Sequence, residues 1–423
     1  MHEHVTPYDR FAWSDREVEE WLAGGAHPQE LRAYFGAAEY RALAALARRA
    51  GRPADPELRV LVVPGIMGSQ LGLKRATPLP HDIVWLDPID IAHGRLAALT
   101  LPDAAPVVSL GVMLFSYLRL KLYLRAHGFA VEFHDYDWRL PLAESGRALA
   151  ARLQRLRPQR VALVAHSMGG LVSRAALAHA GTTHVERLVL LGTPNSGSFA
   201  AVQALRGSYA VVRKVARIAG AATAESLATD VFSSFPSLYE LLPRAPCAGS
   251  CDLFDARVWP ASGPKPRAAL LAAARAAQQL LAPADARCSA IAGIGAETVT
   301  AVRRRRDEFV YTLTRHGDGT VPTCSAALAG ARTFYARVAH SELTRDARVA
   351  AAVVDLLRRG TTARLPDRER SASRARTDVS DAQLRRTHAL KVDWGALTPQ
   401  ARRLFLQNLN EPPHLQLRVP RSR

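Results

Sequence analysis

Ser167 stands between an apolar run, Val161 to Ala165, and an Ala-rich stretch, Leu171 to His179. The first reads as a buried parallel strand and the second as a helix, so the serine falls on a sharp strand-to-helix turn. Such a turn lifts the hydroxyl above the sheet edge, and small neighbours let the helix start close to the strand. The consensus is Gly-x-Ser-x-Gly, and Ala165 stands at its first glycine. The bland alternative is a serine that merely caps the helix. A serine hydroxyl attacks carbonyl carbon only when a base takes its proton and a third group orients that base. Downstream, Arg315-His-Gly-Asp-Gly-Thr-Val-Pro puts Asp318 in a Gly-flanked turn after a strand. Val338-Ala-His-Ser-Glu-Leu puts His340 after another strand and before the final helix. Each has an ordinary reading alone: Asp-Gly is a common turn, and a histidine can cap a helix. His316 shares its strand end with Asp318 and cannot easily face it. Ser167, Asp318 and His340, each at the carboxyl end of a predicted strand, are what a catalytic triad needs.

Acyl chemistry also requires donors for a developing oxyanion. The Met168 N–H, at the start of the serine helix, is the first candidate. The second is the Ile66 N–H, in Val62-Val-Pro-Gly-Ile-Met-Gly-Ser-Gln-Leu, where Gly65 permits the turn. No G-x-x-x-x-G-K-[ST] or G-x-G-x-x-G occurs, which sets phosphate-loop chemistry aside. No metal and no organic cofactor is implied.

Positioning these residues takes a large α/β body. Strands are predicted at Val60 to Val63, Val131 to Phe133, Arg187 to Leu191, Cys288 to Ile294, Phe309 to Thr314 and Arg332 to Val338, besides the serine strand. Helices are predicted near Ser109 to Ala126, at Ser145 to Leu156 and at Glu342 to Arg359. This alternation implies a mostly parallel, doubly wound sheet covered on both faces. Residues 198–286 are Ala-rich, broken by prolines and without strand alternation, and read as a helical cap insertion. The catalytic body is thus placed at 58–360, after a helical N-terminal extension and linker at 1–57, in which residues 15–51 read as a helical pair. Residues 361–423 carry a basic surplus of seven. They read as a partly disordered tail with a short helix near Thr398 to Leu406. Arg303 to Arg306 reads as a solvated loop, with contact to lipid phosphates as the sharper alternative.

The chain of 423 residues is 48% hydrophobic, enough for a substantial core, and carries 56 Lys plus Arg against 38 Asp plus Glu. The excess favours anionic partners such as an acidic membrane surface, although abundant Arg and Ala throughout is equally a matter of composition. No specific nucleic-acid motif accompanies it. Met1-His-Glu-His-Val-Thr-Pro has neither the basic nor the apolar part of a secretory signal, and no run reaches membrane-spanning length, so a cytoplasmic location is expected. Of the four cysteines, Cys247 and Cys251 are close enough to bridge; free thiols are expected in that compartment.

Six blocks occur in order: Pro64-Gly-Ile-Met-Gly-Ser-Gln-Leu, Asp135-Tyr-Asp-Trp-Arg, Ala165-His-Ser-Met-Gly-Gly, Gly192-Thr-Pro-Asn-Ser-Gly-Ser, Pro236-Ser-Leu-Tyr-Glu-Leu-Leu-Pro and Gly317-Asp-Gly-Thr-Val-Pro. Together they resemble the lecithin:cholesterol acyltransferase family, over roughly residues 58–360. The resemblance implies an α/β-hydrolase fold in which Ser167 takes an acyl chain from a lipid ester and passes it to an alcohol or to water. It implies Asp318 as orienting acid, His340 as base, and Ile66 and Met168 at the oxyanion hole. It also favours a lid role for the cap. Trp138 and Arg139 read as a buried ring and a charge pair supporting the site, and Thr193 and Pro194 as pocket wall. The chain departs from better-known members in its N-terminus, in lacking their lid cysteine pair, and in its two flanking segments. The competing expectation is a non-catalytic lipid- or anion-binding protein on the same scaffold.

Overall fold

The computed structural model describes residues 13–51, 58–74, 81–102, 106–244, 247, 251–277, 280–369, 375–386 and 391–407. The strands are β1 (Leu58–Val63), β2 (Ser69–Leu73), β3 (Asp82–Trp85), β4 (Val107–Val112), β5 (Ala130–Phe133) and β6 (Arg160–His166). They continue with β7 (Val185–Leu191), β8 (Cys288–Gly293), β9 (Thr298–Arg305), β10 (Glu308–Thr314), β11 (Arg332–Ala336) and β12 (Thr377–Ser380). Six form the central sheet in the order β11-β8-β7-β6-β1-β5, every pair parallel.

Side-chain alternation explains the layering. Leu61, Val63, Val161, Leu163, Ala165, Leu188 and Leu190 enter one core, while Val60, Val62, Ala162, Val164, Val189 and Leu191 enter the other. With both faces apolar the strands read as unbroken hydrophobic runs, as in sheets buried on both sides. Helices Leu142–Arg155 and Met168–Leu177 cover the first face; Gly146 lets them meet, since a Cβ there would lie 2.5 Å from that of Ala175. Helices Leu114–Ala126 and Ala347–Arg359 cover the second.

The N-terminal segment adds to this second core as three helices rather than a pair: Asp15–Gly24, Pro28–Phe35 and Ala37–Arg49. Gly36, at a φ of 85°, divides the stretch expected to be continuous. Lys121 ion-pairs Glu19 at 2.6 Å and also pairs Asp15. The helix expected from Ser109 starts only at Leu114, because Val107–Val112 forms β4 against β2 in a small antiparallel sheet. Residues of the insertion form short helices at Phe199–Leu205, Ala210–Ile218, Ala224–Asp230, Pro236–Glu240 and Ala268–Ala277.

Two further expectations are corrected. Arg303 to Arg305 belong to β9, and Arg306 occupies the hairpin turn to β10 with φ 55°. A run of arginines hides a strand because an exposed hairpin needs no apolar alternation. Described parts of the tail are built into the body: β12 pairs β10, and Asp381, 1% exposed, receives Arg206 at 3.0 Å and the Tyr311 hydroxyl at 2.7 Å, whereas residues 370–374, 387–390 and 408–423, on which part of the expected disorder falls, lie outside the described residues. Arg364 is likewise held by Asp355 at 3.1 Å. Among the described residues, no helix is long and apolar enough to cross a membrane.

Candidate active site

Strand β6 delivers Ser167 in a backbone conformation of φ 54° and ψ −129°, strained for a residue bearing a Cβ. Its N–H is anchored to the Leu191 carbonyl at the end of β7, 2.8 Å away. The helix begins at Met168 and must crowd its surroundings. A Cβ on Gly170 would lie 2.0 Å from Thr193 Oγ1, and one on Gly65 would lie 2.7 Å from Ser167 Cβ. The absence of side chains at these positions is what permits the tight elbow.

Ser167 Oγ lies 2.9 Å from His340 Nε2, and His340 Nδ1 lies 2.7 Å from Asp318 Oδ2. The Nδ1–H donates to the carboxylate, which leaves Nε2 free to accept from the serine hydroxyl. The other carboxylate oxygen accepts from the Thr320 and Val321 N–H groups at 3.0 and 2.7 Å, and the His340 N–H donates to the Asp318 carbonyl at 2.8 Å. Asp318 follows β10, which lies outside the central sheet; a bridge to Ala296, just past β8, brings it beside β11 and His340. The three residues are 6%, 1% and 8% exposed in chain order, so the site is nearly sealed.

Two residues that sequence reasoning left unassigned complete the support. The Gly65 N–H donates to the Tyr117 hydroxyl at 2.9 Å, and that hydroxyl lies 3.0 Å from His166 Nδ1. His166 Nε2 in turn lies 3.1 Å from the His340 carbonyl. Burial, then the neighbouring His340, holds the His166 imidazole well below its usual value, so it is neutral. A neutral ring with Nε2–H satisfies the whole chain: Tyr117 donates to Nδ1 and Nε2–H donates to the carbonyl. His166 was visible inside the serine motif, whereas nothing local marked Tyr117.

Ile66, Met67, Trp85, Met113, Ala204 and Leu238 line a mostly apolar cavity that opens onto Ser167 and His340. Among the described residues neither the Met168 nor the Ile66 N–H has an acceptor. Trp138 is fully buried, T-stacked on Trp85 and Phe235, with its indole N–H on the Ser69 carbonyl at 3.0 Å. Arg139 is pinned by Asp137 at 2.6 Å and by the Leu99 carbonyl at 2.9 Å. Pro194 faces the cavity, but Thr193 does not: it lies under the serine helix, its hydroxyl buried without a partner among the described residues. His316 points away to Glu369 at 2.8 Å. Cys247 is bridged to Cys324, not to Cys251, and Cys251 and Cys288 are free thiols. That bridge joins the insertion to the short helix following the Asp318 turn.

A parallel sheet with a serine elbow after its central strand, and with acid and base delivered by later segments, is the α/β-hydrolase fold. The PGAP1-like alpha/beta domain family model matches residues 147–231, which hold β6, the serine elbow and the start of the insertion. No curated protein matches the sequence. Similar solved structures include the Bacillus licheniformis lipase BlEst2 in mature form, 16% identical, with 74% of this chain and 95% of that chain covered at a TM-score of 0.37. Its propeptide form is 16% identical over 76% and 55%, also at 0.37. The Tle4–Tli4 complex is 15% identical over 70% and 97%, at 0.38. Likenesses this distant bear on no functional detail.

Proposed function

We propose that the chain is a serine-dependent hydrolase or O-acyltransferase of lipid acyl esters, as its motif resemblance to the lecithin:cholesterol acyltransferase family implies. The observation that carries the reading is the 2.9 Å and 2.7 Å hydrogen-bond chain from Ser167 through His340 to Asp318, set beside an apolar cavity. His340 takes the Ser167 proton as Oγ attacks the ester carbonyl carbon. The carbonyl electron pair moves to oxygen, stabilised by the Met168 and Ile66 N–H groups. Collapse breaks the bond to the leaving alcohol, which receives the proton from His340 and departs, leaving an acyl-serine. An incoming alcohol or water then gives its proton to His340 and attacks the acyl carbon, restoring Ser167 as the new ester or free acid leaves. Asp318 holds the imidazole in the required tautomer and stabilises its charged form. No cofactor enters these steps. Gly65 and Thr193 shape the elbow, while Trp138 and Arg139 brace the floor beneath it.

The test is mass-spectrometric product analysis with a mixed-chain phospholipid, with and without a long-chain alcohol, beside Ser167→Ala. Serine-dependent ester identifies a transferase and serine-dependent free acid alone a hydrolase. Products that persist in Ser167→Ala would refute Ser167 as the nucleophile, and bound lipid without turnover in the wild type would refute catalysis and leave the lipid-binding alternative.

A further inference from the structure

The cavity above Ser167 has a wall supplied from far along the chain. Leu406, on the helix Pro399–Gln407, lines it together with Ile66, Trp85 and Leu238. That helix joins the main core only at its edge, through Trp394 and Phe405, and a strap of polar contacts fastens it. Lys391 Nζ donates to the Ala216 and Ala222 carbonyls at 2.7 and 2.5 Å, fastening the strap to the helical insertion. Arg402, 4% exposed, folds the strap back by donating to the Trp394 and Gly395 carbonyls, each at 3.1 Å. Phe405 packs edge-on against Trp394 at 5.8 Å, and Arg403 rests over Gly36 on the N-terminal helices.

The free volume is about 90 Å³. A space of this size is short of a long acyl chain. Something must move before a long-chain ester reaches Ser167. The roof of the insertion is a poor candidate, because Ala210–Ile218 buries eight of its nine residues. In the terminal helix Arg402 and Phe405 alone are classed as buried among the residues with described side chains, and Leu404 is 41% exposed. A segment with so few buried contacts is drawn from the low-stability end of the fold.

We propose that the terminal helix is the displaceable cover of the acyl cavity, and that Leu406 determines which acyl chains are admitted. The inference rests on the acyl-ester reading above. Shortening Leu406 opens the wall toward the helix, and a larger side chain fills the remaining space.

The experiment compares p-nitrophenyl acetate with p-nitrophenyl dodecanoate in the full chain, reading the ratio of their kcat/KM values. Leu406→Ala is expected to raise the dodecanoate-to-acetate ratio and Leu406→Trp to lower it. Each shift is on the order of tenfold, since one methylene in an apolar pocket is worth about 10–200-fold. Opposite shifts beyond threefold support the proposal; smaller or same-sign shifts overturn it. Covalent capture of Ser167 by a fluorophosphonate reports the chemistry separately, so a chain that neither hydrolyses nor labels defeats the catalytic reading alone. In that event dodecanoate binding by the same three proteins, measured by calorimetry, decides the cover: opposite changes in Kd beyond threefold support it, and any other result overturns it.

Discussion

Replacing Tyr117 by Phe removes one oxygen and leaves two buried groups without partners. The Gly65 N–H loses an acceptor at 2.9 Å, and His166 Nδ1 loses a donor at 3.0 Å. Tyr117 and His166 are 3% and 7% exposed, so water does not readily replace the hydroxyl. A buried polar group stripped of its partner costs roughly 1–3 kcal/mol, so the two together amount to about 2–6 kcal/mol. Urea unfolding of Tyr117→Phe is therefore expected to show a loss on the order of 3 kcal/mol at unchanged m-value. The kinetic effect has a separate origin. Gly65 begins the loop carrying the Ile66 N–H, and His166 bonds the His340 carbonyl, so one hydroxyl registers both against the serine elbow. Displacing an oxyanion donor costs about 10²–10³ in kcat when it is lost outright, and a loosened one is expected to cost about 10–100-fold. Because an apolar replacement of both partners relieves part of the penalty, Tyr117→Phe/His166→Leu is expected to cost at least about 1 kcal/mol less than the sum of the single changes. A Tyr117→Phe protein within 0.5 kcal/mol and twofold of wild type, or strict additivity in the cycle, would refute the idea that these groups act as a unit.

Three other outcomes follow from the same coordinates. Burial raises the Glu240 carboxyl to about 7, against its bond from the Leu142 N–H at 2.6 Å. The protonated form is favoured in the fold, so the penalty is absent below about pH 4.5 and complete above about pH 7; Glu240→Gln is expected to gain roughly 3 kcal/mol at pH 8 and little at pH 4.5 in urea titrations. Gly170→Ala drives a Cβ to 2.0 Å from Thr193 Oγ1, for an expected loss of about 1–3 kcal/mol, and adding Thr193→Ala, which removes the contacts at 2.0 and 2.6 Å but leaves a Cβ at 2.8 Å, is expected to restore part of it; a double variant no better than the single one refutes the contact. Thiol counting under denaturation should find two free cysteines before reduction and four after, because Cys247 and Cys324 are bridged. Closing 77 residues of chain makes reduction cost up to about 4 kcal/mol, and four thiols titrating without reductant would remove the bridge.

The Ser167–His340–Asp318 hydrogen-bond chain was legible because each member carries a local signature: a serine between apolar strand and Ala-rich helix, an aspartate between glycines, a histidine between strand and helix. Parallel strands buried on both faces announce themselves as apolar runs, which is why β1, β6 and β7 were placed within two residues or so. What escaped was set by distant partners. Tyr117 is one aromatic in an apolar helix, and its role exists only because Gly65 and His166 converge on it. The pairing of Cys247 with Cys324 rather than its near neighbour Cys251 depends on where the insertion lands. β12 and the burial of Asp381 were invisible because a short polar strand gains its stability from β10 and Arg206, not from its own composition.

On the proposed mechanism, hydrolysis and acyl transfer differ at a single step, the competition between water and alcohol for the acyl-serine, and the proposed triad treats both alike. The partition must then be set by what reaches Ser167. Its surroundings are dry: Ser167 and His340 are 6% and 8% exposed, and the lining is mostly apolar. Among the polar lining residues, Ser341 follows His340, and its hydroxyl is buried with no partner among the described residues. A buried hydroxyl without a partner favours any hydrogen-bonding group delivered beside it. On the same proposal, an acceptor alcohol placed there lies next to His340, the proposed base, while bulk water has to pass the same proposed cover as the acyl chain. If the proposed cover and triad hold, closure favours transfer and an open site favours hydrolysis, with no change in the three proposed catalytic residues.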